Sequence, residues 1–208
     1  MKRLIYSLLM ATLQIPLMGG FEVRPAELED ISEIMGIDTR VALEYFKPIY
    51  QEHYAEYPFG KCADESLKRE VEADRQAFTQ CITAQNDEKL YIATDSEKNA
   101  LAAFIFFHKD ADAVEVDLMC VDKPYRRLGV GKKLLARAIG TFADIKQCFL
   151  YTLLAGNAGT HQFYEKLGFT GSPGSADRKN FYDIPHSDVY RYYTLDLAFS
   201  SMVEDRED

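Results

Sequence analysis

Arg126-Arg127-Leu128-Gly129-Val130-Gly131 is the stretch whose residue types and spacing carry the plainest chemistry. An apolar strand pattern runs into it and an amphipathic helix pattern runs out. A strand, a glycine-containing turn and a helix N-terminus make a site for a pyrophosphate-like anion. The backbone N–H groups of Arg127, Leu128, Gly129, Val130, Gly131 and Lys132 can point at the ligand, the helix dipole favours negative charge, and the glycines let the ligand approach the backbone. The side chains of Arg126, Arg127, Lys132 and Lys133 add positive charge. Basic residues at a helix start oppose the dipole, so a bound anion explains them better than a solvated helix end does. Upstream, Glu115 and Asp117 share one face of a strand pattern. Either could take a proton directly or through water, and either could simply line a polar strand edge. Downstream come Asn157, suited to capping a helix, and the run Phe163-Tyr164-Glu165-Lys166-Leu167-Gly168-Phe169.

These residues need a framework, and the apolar periodicity outlines one. Phe21–Pro25 reads as a short strand, and Leu28, Ile31, Ile34 and Met35 fall at helical spacing. Residues 40–60 are rich in aromatics (Tyr45, Phe46, Tyr50, Tyr54, Tyr57, Phe59), broken by Pro48 and Pro58. Asp64 can cap a long helix striped by Leu67, Val71, Phe78 and Ile82. Strands follow at Leu90–Thr94, Leu101–Phe107 and Val114–Val121, separated by polar turns. A helix after Gly131 buries Leu134, Leu135, Ala138 and Phe142, and Cys148–Leu154 is the next strand. The following helix ends at Gly168, a usual C-terminal cap. Residues 170–176 read as loop from their Gly, Ser and Pro content, and 180–184 and 187–197 as a last pair of strands. No internal repeat or dividing linker is visible.

This order of features resembles the GNAT family of acyl-CoA-dependent N-acetyltransferases. The family turn, Gln/Arg-x-x-Gly-x-Gly/Ala, is matched at every fixed position from Arg126 to Gly131. Its second signature is an Asn, then a Phe/Leu-Tyr pair, then Leu-Gly-Phe. Asn157, Phe163-Tyr164 and Leu167-Gly168-Phe169 match it, while Thr160 stands where the family more often has Ala. The resemblance is firm over 113–169 and loose over 21–197. It implies a single-domain α/β fold, a mixed sheet of about seven strands flanked by helices. The fourth strand (113–121) and fifth (147–154) would splay to admit the pantetheine arm. It also implies acetyl-CoA as co-substrate, without a metal. A backbone N–H at Met119, Cys120 or Val121 would polarise the thioester carbonyl, and Asn157 would touch the cofactor. Tyr164 would be the general acid at the thioester sulfur. Glu115, fourteen residues before Gly129, would be the general base, with Asp117 as its alternative. The implied reaction is direct attack by a primary amine, a small amine or polyamine being favoured. The alternatives are a protein lysine or N-terminal amine, and, in another class, a non-catalytic acyl-CoA-binding module. The aromatic segment Tyr45–Phe59 and the loop Phe181–His186 would wall the acceptor groove, or else belong to the core.

Composition narrows the partners. The chain has 208 residues, 47% hydrophobic and 27% charged, an ordinary globular composition. A net charge of −9 argues against nucleic acid as a partner. It suits a cationic substrate, or serves solubility alone. Cys62, Cys81, Cys120 and Cys148 lack CxxC spacing, and Cys120 and Cys148 read as core. His53, His108, His161 and His186 lack metal-ligand spacing. His161 lies one helical turn before Tyr164, as a solvated residue or a catalytic one.

The expected division is a hydrophobic segment at 1–20, an N-acetyltransferase domain at 21–200 and an acidic tail at 201–208. Met1-Lys2-Arg3 and the apolar Leu4–Met18 resemble a secretory signal, yet Pro16 interrupts the run and no Ala-x-Ala-like site follows. The segment is too short for stable membrane insertion. Acyl-CoA is a cytosolic metabolite, so a cytoplasmic location is favoured over secretion. The segment then becomes an extra helix packed on the domain or used in a homodimer.

Overall fold

The computed structural model describes residues 20–84, 87–155, 158–174 and 189–197. The segments 1–19, 180–184 and 201–208, Asn157 and the Phe181–His186 loop lie outside that set. Seven strands form one mixed sheet in the order β1-β2-β3-β4-β5-β7-β6. They are β1 Phe21–Pro25, β2 Lys89–Asp95, β3 Ala100–Asp110, β4 Ala113–Val121, β5 Gln147–Leu153, β6 Thr170–Pro173 and β7 Tyr190–Asp196. Every pairing is antiparallel except that of β4 with β5. A parallel step needs a crossover, and the helix that follows the glycine turn provides it.

The helices are α1 Ile31–Val41, α2 Lys47–His53, α3 Pro58–Lys61, α4 Ala63–Thr83, α5 Val130–Ile139 and α6 Ala158–Lys166. Helices α1 and α4 cover one face of the sheet, where Ile34, Ile37 and Phe78 pack on Ile92, Phe104 and Cys120. Helices α5 and α6 cover the other, where Leu134, Leu135, Ala138 and Tyr164 pack on Ile105, Val114 and Val116. Strand β3 is buried on both sides from Leu101 to Phe107, so its sequence is a continuous apolar run rather than an alternation.

Three expectations give way. Pro48 does not break the aromatic segment: α1 continues through a widened π turn, Ala42–Phe46, into α2 with Pro48 in its first turn. A proline lacks the N–H that a regular turn would use, and the wider turn removes that demand and the ring clash. Asp64 does not cap α4; Cys62 holds the cap position and Asp64 lies in the first turn, paired with Lys47 at 2.6 Å. Thr170–Pro173 is not loop but the edge strand β6. An edge strand tolerates proline at its end, and the bare Gly171 makes room for the Arg191 guanidinium lying across it.

Candidate active site

The sheet divides in the middle. β4 and β5 pair from Ala113↔Gln147 to Val116↔Leu150 and no further. Beyond that point β4 stays on β3 as far as Val121, and β5 stays on β7 as far as Leu153. The edge of β4 from Asp117 to Val121 therefore faces an opening in which an extended ligand could bond as an added strand. A bulge lies at the fork: Phe106 pairs Leu118 while Phe107 pairs Val116, leaving Asp117 as the extra residue. The bulge shifts the alternation, so Val114 and Val116 before it and Met119 and Val121 after it all reach the α5 side. Leu118 and Cys120 turn toward α1 and α4.

The glycine turn sits at the far end of this opening. Arg127 and Gly129 are left-handed, with φ 66° and 82°. Gly129 is the N-cap of α5 without a side-chain capping bond, and a Cβ placed on it would meet nothing within 4 Å. The first bond into the helix runs from the Lys133 N–H to the Gly129 carbonyl at 3.1 Å. The N–H groups of Val130, Gly131 and Lys132 therefore have no acceptor inside the helix. Gly131 lies where α5 meets β4 and α6: a Cβ there would be 3.4 Å from Val121, 3.6 Å from Phe163 and 3.7 Å from Met119, ordinary contact distances. Lys133 is already engaged inside the fold, where its ammonium bonds the Phe21 carbonyl. Arg126 folds back to donate to the Val121 carbonyl at 3.0 Å. Partial burial holds the Lys132 pKa below its usual value, and a bound anion would reverse that.

Tyr164 is 6% exposed, in the core beneath the opening. The run that contains it is a complete helix stop. Gly168 is left-handed at φ 88°; its N–H bonds the Glu165 carbonyl at 3.0 Å, and the Phe169 N–H bonds the Tyr164 carbonyl at 3.1 Å. This is the Schellman pattern, in which the residue after the glycine packs back on the helix. That residue is Phe169, with its ring 5.6 Å from the Tyr164 ring. Leu167-Gly168-Phe169 thus clamps Tyr164 from below, and Phe163 and Tyr193 hold it at the sides. Burial, with smaller contributions from Cys148, Cys120, Tyr45 and Tyr193, raises its pKa well above the ordinary phenol range.

Glu115 is buried at 3% exposure, behind the fork and opposite His108 in the pairing. The His108 ring lies between the two carboxylates: Nε2 is 3.5 Å from Glu115 and Nδ1 is 2.8 Å from Asp117. Burial opposes a charge on His108, but the bond to Asp117 and the charges of Asp117, Glu115 and Asp110 outweigh it and raise its pKa. Asp117 moves up too, because burial and the charges of Glu115 and Glu88 exceed the pull of His108. Of the two carboxylates only Glu115 is fully buried; the Asp117 side chain keeps 27% exposure at the fork. His108 carried no sequence signal of its own. His161 bonds the Tyr193 hydroxyl at 2.8 Å, so it is more than a solvated helix residue.

The profile of the acetyltransferase (GNAT) family matches residues 46–169. The chain belongs to that family. GNAT enzymes with solved structures share the fold at low identity. One is the PaiA N-acetyltransferase of Thermoplasma acidophilum in complex with coenzyme A, 20% identical over 83% of this chain and 98% of that one, TM-score 0.58. Another is a spermidine N-acetyltransferase chimera drawn in part from Vibrio cholerae, 13% identical over 87% and 98%, TM-score 0.58. A third is the ribosomal-protein-S18-alanine N-acetyltransferase of Escherichia coli, 17% identical over 86% and 94%, TM-score 0.55. A comparison with curated proteins finds no match.

GNAT enzymes use acetyl-CoA, and the residues here fit it. The open cradle at Gly129 suits a diphosphate, and the unpaired β4 edge suits pantetheine amides. Among the described residues, no group of His, Cys, Asp or Glu is placed to hold a metal ion, and no helix is long and apolar enough to cross a membrane. Burial keeps the Cys120 thiol far above its usual pKa and pushes that of Cys148 up to about 12, so neither is a thiolate at neutral pH. The aromatic segment is mostly core. Tyr50 and Tyr54 are buried, and the Tyr54 hydroxyl accepts from the Ala155 N–H and donates to the Val189 carbonyl. Tyr45 reaches across to α6, where its hydroxyl bonds Thr160 at 2.9 Å. The departure from the family pattern at Thr160 thus has a partner.

Proposed function

We propose that this GNAT enzyme transfers the acetyl group of acetyl-CoA to a primary amine by direct attack, with a small amine or polyamine as acceptor. The divergence of β4 from β5, with an anion cradle at one end and buried acids along β4, supports this best. The turn from Arg126 to Lys132 holds the diphosphate through backbone N–H groups. A backbone N–H among Met119, Cys120 and Val121 polarises the thioester carbonyl. Glu115 accepts the proton that the attacking amine must lose and becomes a neutral acid, and His108, 3.5 Å away, can accept that proton in turn, which restores the carboxylate. Tyr164 hydrogen-bonds the sulfur as the C–S bond breaks. A phenol held above about 10 cannot hand its proton outright to a thiolate near about 8.5 without an uphill step, so hydrogen-bond donation is its main contribution. The same cofactor requirement supports a cytoplasmic site of action.

The test is release of free thiol from acetyl-CoA against a panel of monoamines, diamines and peptides. Thiol release that depends on an amine, and that falls in Tyr164→Phe and Glu115→Gln, is the expected result. Tight CoA binding with no amine-dependent release across the panel would convert the reading to a non-catalytic acyl-CoA-binding module.

A further inference from the structure

A second set of acids lies on the far side of β4's fork from Glu115. Asp38 belongs to the buried stripe of α1, with Ile34, Ile37 and Val41. It is 3% exposed, and its Oδ2 is a buried acceptor with no hydrogen-bond partner among the described residues. A buried carboxylate oxygen without a donor is costly, and native structures rarely keep one without a reason. Asp38 faces α4, where Glu70 and Asp74 stand one helical turn apart on one side. Tyr50 of α2 donates its hydroxyl to Glu70 at 3.2 Å. Burial, then the charges of Asp74 and Glu70, push the Asp38 carboxyl up to about 7. Burial and then Glu70 do the same to Asp74. The Cys120 thiol feels Asp38 and Asp74 after its own burial, with Arg126 opposing them. The face of α1 that carries Asp38, with Ile34, Ile37 and Val41, packs in one cluster with Leu118 and Cys120, the stretch of β4 that borders the opening.

We infer that Asp38, Glu70 and Asp74 form a subsite for a second, non-reacting ammonium group on the acceptor, a few methylenes from the amine that is acetylated. The inference rests on the N-acetyltransferase reading above and adds the acceptor's charge pattern to it. The ammonium supplies donors to the orphaned Asp38 oxygen and offsets the mutual repulsion of the three acids. The net charge of −9 draws such a dication toward the protein.

The test uses the full chain with CoA, which cannot react, and calorimetric titration of 1,4-diaminobutane, 1,5-diaminopentane and butylamine. One diamine should bind roughly tenfold tighter than butylamine, the scale of one added charge-assisted contact. That ratio should fall to about one in Asp38→Asn and in Asp74→Asn. Both substitutions keep shape and remove repulsion, and thermal unfolding checks that each folds. A ratio near one for every diamine in the wild type overturns the subsite, as does a ratio that survives both substitutions. Acetylation of the two diamines and of butylamine by acetyl-CoA is measured beside it. Its absence for all three, with the diamine ratio intact and lost in the variants, would sink the enzyme reading and leave the cation subsite standing.

Discussion

Strand β4 passes two groups of acids, each with one fully buried member, Glu115 in the first and Asp38 in the second, and the protein treats them differently. Behind the fork, Glu115 and Asp117 have an imidazole between them, with distances of 3.5 and 2.8 Å. Beyond it, Asp38 has a buried oxygen with no partner among the described residues and two acids for neighbours. The first group has a basic partner within the fold, whose pKa the neighbouring carboxylates raise. The second holds carboxyl groups near neutrality in pKa and gains most from a cation that arrives from outside. A buried charge that is already paired serves a step inside the protein. One left unpaired is an energetic reserve for binding.

The sharpest way to separate the two is through turnover. Glu115→Gln should lower kcat/KM for a monoamine by roughly a hundredfold or more, the usual loss for a general base. The deficit should be smallest at high pH, where more of the amine is already neutral. Asp117→Asn is the comparison, and pH profiles of both variants decide between them. An unchanged Glu115→Gln profile beside a depressed Asp117→Asn one would move the base to Asp117.

Stability should break the comparison next. His108→Gln removes the imidazole from between the two carboxylates, a loss of about 2 kcal/mol for a partly exposed group. Asp38→Asn removes a repelling charge and should be neutral or stabilising. Urea unfolding at neutral pH measures both, and equal losses would show that the two groups are not different in kind.

The pH dependence has a defined sign. Asp38 and Asp74 have folded values near 7, raised by burial and by neighbouring acids. The folded state therefore binds more protons than the unfolded chain between about pH 4 and pH 7, and stability falls as pH rises through that window. Asp38→Asn should flatten the fall, with little change below about pH 4. An unaltered slope in that variant would remove Asp38 from the account. Smallest is the link between the two sides of the opening. Tyr45→Phe, which deletes the bond to Thr160, should cost about 0.5–1 kcal/mol in the same unfolding measurement.

What could be read along the chain was whatever is built from neighbours in sequence. The turn proposed to hold the anion is one stretch, Arg127 to Lys132, with the strand and helix that adjoin it. The clamp on Tyr164 spans only Tyr164 to Phe169, because a Schellman stop closes within six residues. Strands β1 to β5 followed from apolar runs and turn residues for the same reason. The tertiary structure decided whatever depends on pairing across distance. The fork at Val116 exists because β4 and β5 keep different partners, and no local pattern encodes where two strands part. His108 meets Glu115 and Asp117 only through the register of β3 on β4 and its bulge. Asp38 meets Asp74 only because α1 lies on α4. That Gly131 sits among Met119, Val121 and Phe163 likewise follows only from the packing of α5 on β4 and α6. Local hydrogen-bond geometry is written in consecutive residues, whereas burial and charge proximity are properties of the packed whole.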